Sequence, residues 1–96
     1  MIQQTQEYIK LNKEVVRLIK VVDKAMTLML KNSNDITALE VYNGKFEELE
    51  KLLMKLITMG INPHTPAIDL LNKDERNVFE RAYKNAERIL LITNFN

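Results

Sequence analysis

The chain holds one imidazole and no thiol, and this limits the chemistry it can do. His64 stands in Asn62-Pro63-His64-Thr65-Pro66. A histidine base needs an orienting carboxylate and a nucleophile close in space. The residues around His64 supply neither, so it reads as a solvated loop histidine or a helix-start residue. With one His there is no two-His metal site, and neither an H-E-x-x-H pair nor an EF-hand loop occurs. The absence of Cys removes disulfides, thiolate ligands and Cys nucleophiles, and fits a reducing compartment. Gly44 and Gly60 are the only glycines, too far apart to make a phosphate-cradling loop. The expectation is a protein with no catalytic residues, no metal and no cofactor, and so not an enzyme.

The carboxylates are the next candidates. Glu47, Glu48 and Glu50 cluster, and Asp74, Glu75 and Glu80 form a looser group. Such groups can hold a divalent cation or do acid–base work. Here Glu47 precedes Lys51 by four residues and Glu80 precedes Lys84 by four. That order favours exposed helix pairs of ~0.2–0.5 kcal/mol each. A solvated charged face is the expected reading.

The sharpest polar pattern is basic. Lys10, Lys13, Arg17, Lys20, Lys24 and Lys31 recur at steps of three, four or seven, with Thr27 filling the gap. They form one ridge, and residues 1–33 carry a net charge of +3. Residues 34–60 carry −2, and residues 61–96 balance. The ridge is either an electrostatic surface for nucleic acid, lipid or an acidic partner, or a solvated face whose Lys stems cover apolar neighbours. The whole chain has Lys+Arg 14 against Asp+Glu 13, which gives no general pull toward polyanions. No helix-turn-helix, zinc finger or aromatic platform accompanies the ridge. Nucleic acid therefore ranks behind the solvated reading.

These groups must be positioned by helices. Tyr8, Leu11, Val15, Leu18, Val22, Ala25 and Met29 alternate steps of three and four, and Ile19, Met26, Val21 and Leu28 widen the stripe. A second stripe runs Leu39, Tyr42, Phe46, Leu49, Leu53 and Leu56, with Leu52 and Met59 beside it. A third comprises Val78, Phe79, Ala82, Ala86, Ile89 and Leu90. Helices are predicted at about 5–31, 36–59 and 73–93. Thr37 with Glu40 has capping-box spacing, with Asp35 or Asn34 as alternative caps. Asn72-Lys73-Asp74-Glu75 opens the third helix in the N-x-x-E form. Gly44 weakens the second helix without breaking it, because the stripe keeps its phase. Gly60 stops that helix, with Pro63 beyond. Thr65-Pro66 has the form of a short helix start.

Length and composition agree with this layout. The chain has 96 residues, 46% apolar and 28% charged, with two Gly and two Pro. That is one domain, not a linker or a disordered segment. The expected architecture is an all-α, up-down-up antiparallel three-helix bundle with a long helical hairpin, completed by dimerisation or a partner helix. No apolar run approaches a membrane span, and Met1-Ile-Gln-Gln-Thr-Gln6 carries no export mark. The expected location is cytoplasmic. Ala82 and Ala86 are small and four apart, allowing a close helix approach, while Leu91, Ile92 and Phe95 continue past the third stripe. A partner-binding face of Phe79, Ala82, Ala86, Ile89, Leu90, Ile92 and Phe95 follows, for a protein partner or a second copy. Flexible Met26, Met29, Met54 and Met59 fill irregular gaps or line a groove.

The stretches Tyr8-Ile-Lys-Leu-Asn-Lys-Glu14, Phe46-Glu-Glu-Leu-Glu-Lys-Leu-Leu53 and Leu71-Asn-Lys-Asp-Glu-Arg76, continuing to Ile89, resemble small bacterial flagellar export chaperones of the filament-cap (FliT-like) group. The resemblance covers most of the chain and is one of pattern. Lys45-Phe46-Glu47 stands where that family has a Lys-Arg-Glu-like run, and the further C-terminal helix of longer relatives has no counterpart here. The resemblance implies a non-enzymatic chaperone that holds a helical segment of an export substrate in an apolar groove. Two other classes share the surface physics: a small phage or mobile-element regulatory or immunity protein that inhibits a larger protein, and a nucleic-acid binder using the first-helix ridge.

Overall fold

A computed structural model describes residues 2–60 and 71–95, with side chains for 9–60 and 71–93. Three helices make up the fold: α1 (Ile2–Lys31), α2 (Ile36–Thr58) and α3 (Lys73–Phe95). The all-α three-helix bundle expected from the stripes is the architecture found. Among the described residues there is no strand.

The joints follow local hydrogen-bond chemistry. After Lys31 the Asn32 carbonyl accepts the Asp35 amide at 3.0 Å, and the Asn32 Oδ1 accepts the Asn34 amide at 3.0 Å. Asp35 then caps α2, its Oδ1 accepting the Ala38 amide at 2.9 Å. Thr37 and Glu40 therefore do not form the cap. Asp35 immediately precedes the first helical residue and so holds its carboxylate over the free amides, whereas Thr37 already lies inside the helix. Gly44 sits mid-helix without a break. At the far end Gly60 adopts φ +76°, where its amide bonds the Ile57 carbonyl at 3.0 Å. The left-handed residue lets the chain turn off the helix axis, as the sequence predicted.

The α3 start is a reciprocal capping box. Asn72 Oδ1 accepts the Glu75 amide at 2.9 Å, and Glu75 Oε1 accepts the Asn72 amide at 3.0 Å. His64, Thr65 and Pro66 lie outside the described residues, as do the side chains of Tyr8 and Phe95.

The hairpin is antiparallel. Val21 and Ala25 share one concavity with Val41 and Ala38, and Lys45 lowers the Glu14 pKa from the facing helix. As one residue number rises, its neighbour's falls. α3 packs against both helices of this hairpin. Its Glu75 meets Lys20 of α1, and only six residues later Arg81 meets Tyr42 of α2. Lys20 and Tyr42 stand at the same level of the hairpin, and further along Ile89 shares a concavity with Phe46, Glu50 and Met54 of α2. Residue numbers in α3 and α2 therefore rise together, so α3 runs with α2 and against α1, not in the up-down-up order expected. The 14 residues between the two helices are long enough for a crossover connection.

The core lies where the three helices meet. Val15, Ile19 and Val22 of α1, Leu49, Leu53 and Leu56 of α2, and Val78, Phe79, Ala82 and Ala86 of α3 have no exposed surface. The two alanines allow α3 to approach closely. Ala38 takes the core place near the hairpin turn, and Leu39, predicted on the stripe, is 43% exposed.

Candidate functional site

Several surfaces offer more than support for the fold. The first is the end of α3. Ala86 is its last buried residue among those described; beyond it Leu90 is half-buried, and Ile89, Leu91 and Ile92 are 42%, 58% and 57% exposed. Ile89-Leu90-Leu91-Ile92 are consecutive, so at about 100° per residue they cover the whole helix circumference. Whichever side faces α2, apolar side chains remain in water. The partner-binding face predicted from the sequence therefore divides. Ile89, Leu90 and Ile92 are accessible. Phe79, Ala82 and Ala86 are interior, because they form the seam against α1 and α2 and have no surface to offer. Phe95 has no described side chain.

The second surface is the hairpin turn, which the stripes did not single out. Val21, Ala25 and Leu28 of α1 face Ala38 and Val41 of α2 around a concavity of about 400 Å³, rimmed by Lys24, Asp35 and Thr37. Ile36 and Leu30 nearby are 69% and 83% exposed. The signal in the sequence was the widening of the first stripe by Val21 and Leu28.

The third surface is charged. All six ridge residues, Lys10, Lys13, Arg17, Lys20, Lys24 and Lys31, are exposed. Two are already engaged. Arg17 pairs with Glu14, whose hydrogen bond from Arg17 holds its carboxyl below the usual range while the guanidinium pKa rises in return. Lys20 donates to both oxygens of Glu75 at 3.3 and 3.2 Å. The same region raises the Asp23 pKa above its ordinary value, first through burial, then through the negative charges of Glu75 and Asp74. On α3, burial followed by the charges of Glu87 and Glu80 raises the Tyr83 phenol.

On α2, Lys51 meets Glu47 at 3.2 Å and Lys45 meets Glu48 at 2.8 Å. The carboxylate cluster is thus largely a solvated face, as expected. Among the described residues no three His, Asp or Glu side chains converge on a metal-sized site, and no helix is long and apolar enough to cross a membrane. Met26 and Met54 pack on the core edge, whereas Met59 is 43% exposed.

Tyr42 and Phe46, read from the sequence as core, are only half-buried. Their rings stack at 5.6 Å, the Arg81 guanidinium lies 5.5 Å from the Phe46 ring centre, and Arg81 Nη2 donates to the Tyr42 hydroxyl at 2.6 Å. Comparison of the chain with family models, with curated proteins and with solved structures finds no match.

Proposed function

We propose that the protein is a non-enzymatic protein-interaction module whose docking element is the end of α3. One observation carries this reading: four consecutive apolar residues encircle α3 beyond Ala86, its last fully buried residue among those described, and three of them are exposed. A helix apolar all round is stable in water only when something covers it. A partner helix lying along this end would add apolar contacts at i and i+3, Ile89 and Ile92, with Leu91 at its flank. The partner-helix mode accords with the export-chaperone resemblance, in which a helical client segment is held in a groove. The concavity at the hairpin turn offers a second apolar contact of the same kind.

The test is mass by light scattering together with crosslinking, on the wild type and on Ile89→Asp with Ile92→Asp. A complex or self-associated species that the aspartates dissolve, with helical content retained, supports the proposal. A chain that stays monomeric and uncrosslinked with every candidate partner overturns it. Gene neighbourhood separates the sub-readings: flagellar genes for a chaperone, phage or toxin genes for an inhibitor.

A further inference from the structure

Where α3 passes α2 the helices leave a concavity of about 420 Å³, lined by Tyr42 and Phe46 from α2 and by Arg81, Lys84, Asn85 and Arg88 from α3. Its walls contain no carboxylate. Three cations, a carboxamide and a phenol make it rich in hydrogen-bond donors, and the Asn85 and Tyr42 oxygens are the only side-chain acceptors.

The cations are regularly placed. Arg81, Lys84 and Arg88 recur at steps of three and four, so they share one face of α3 over about 10 Å. Four cations elsewhere are paired: Arg17 with Glu14, Lys20 with Glu75, Lys45 with Glu48 and Lys51 with Glu47. On α3, Glu80 and Glu87 stand four and three residues from Lys84, but neither lines the hollow. Among the described ion pairs none involves the α3 row. The other lysines of the α1 ridge, which make no ion pair among those described, are exposed, whereas the α3 row lines a hollow.

Part of the hollow is already set in place. Arg81 is held by the Tyr42 hydroxyl and the Phe46 ring. The Tyr42 oxygen accepts that bond and keeps its own proton to donate. A guanidinium fixed before binding loses less side-chain freedom when a ligand arrives.

We propose that this concavity binds a phosphate ester. The phosphate oxygens take donors from Arg81, Lys84 and Arg88, and the organic part lies against the Tyr42–Phe46 edge. A phosphate group, with more charge and more acceptor oxygens than a lone carboxylate, uses several cations at once. A free nucleotide and the phosphodiester of a single strand present the same chemistry. The site uses none of Ile89, Leu91 or Ile92, so it stands apart from the docking reading.

The experiment titrates ADP, inorganic pyrophosphate and a short single-stranded oligonucleotide separately into isotope-labelled full-length protein and follows the backbone amides. Saturable shifts confined to residues 42–46 and 81–88 are expected. Response to ADP and pyrophosphate identifies a small phosphate ligand, and response to the oligonucleotide alone identifies a strand. Lys84→Glu with Arg88→Glu weakens binding about tenfold or more, and the neutral pair Lys84→Gln with Arg88→Gln does so to a smaller degree, each with helical circular dichroism retained. Reversal on α1, Lys13→Glu with Lys24→Glu, at exposed residues that do not line the hollow, leaves the affinity within about twofold. The proposal is overturned by any of three results: no saturable shift with any probe, shifts that map to α1, or equal weakening by both reversals. Saturation of the same amides by a Glu-rich peptide, with the phosphate probes silent, overturns it as well.

Discussion

Glu75 does two jobs with one carboxylate. It closes the capping box at the start of α3 and accepts the Lys20 ammonium of α1 through both oxygens, at 3.3 and 3.2 Å. The residue is only 7% exposed. This contact ties the first turn of α3 to α1 and sets where that helix begins.

Removing that carboxylate costs more than removing its partner. Glu75→Ala deletes half the capping box and the acceptor of an ion pair, an expected loss of about 1–3 kcal/mol. Lys20→Ala costs about 0–1 kcal/mol, because its side chain is 51% exposed. Glu75→Gln keeps an oxygen for the Asn72 amide and falls between. Urea unfolding of the three variants checks the order. Equal losses for Lys20→Ala and Glu75→Ala would discount the cap.

The two glycines respond in opposite directions. A methyl added at Gly44 meets nothing within 4 Å, and the residue is helical. Gly44→Ala is expected to stabilise by about 0.5–1 kcal/mol. Gly60 also has open space, but its φ is +76°. Gly60→Ala is expected to destabilise by about 1–2 kcal/mol, since L side chains disfavour that region. Thermal melts read both signs.

Close helix contact predicts intolerance of larger residues in the α3 seam. Ala82→Leu forces four-carbon bulk into a site with no exposed surface and is expected to cost about 1–3 kcal/mol. Phe79→Ala leaves a cavity instead and costs about 3–5 kcal/mol. In a domain of this size each kcal/mol lowers Tm by about 4–8 °C. If either variant melts like the wild type, the seam is not the core.

Asp23 makes stability fall with rising pH over a defined interval. Its folded pKa is raised, so between the unfolded value near 3.8 and the higher folded value the folded state holds the extra proton. Stability contributed by this group is present at the low end and lost as pH rises through the folded pKa. Asp23→Asn is therefore expected to stabilise at neutral pH and to change little below the unfolded pKa. Glu14 works in the opposite sense. Its lowered pKa gives stability above the unfolded value that disappears as pH falls through the folded one. Carboxyl-carbon titration by NMR, with melts across the acid range, separates the two.

The sequence itself determined the helices and most of their ends. Spacing of Val15, Leu18 and Val22, of Leu49, Leu53 and Leu56, and of Val78, Ala82 and Ala86 marked the faces that are buried, because helix geometry is local and its period shows in one dimension. Gly60 and the Asn72–Glu75 box were equally legible, since caps are contacts within a few residues. Tertiary structure decided the direction in which α3 packs on the hairpin, and with it the fate of each apolar position. Phe79 and Ala82 became core and Ile89 and Ile92 stayed outside, although all four belong to the same apolar run. The Arg81–Tyr42 contact joins residues far apart in the chain. Such pairings depend on how helices cross, which is set by the shape of all three packed surfaces together and not by the period of any one of them.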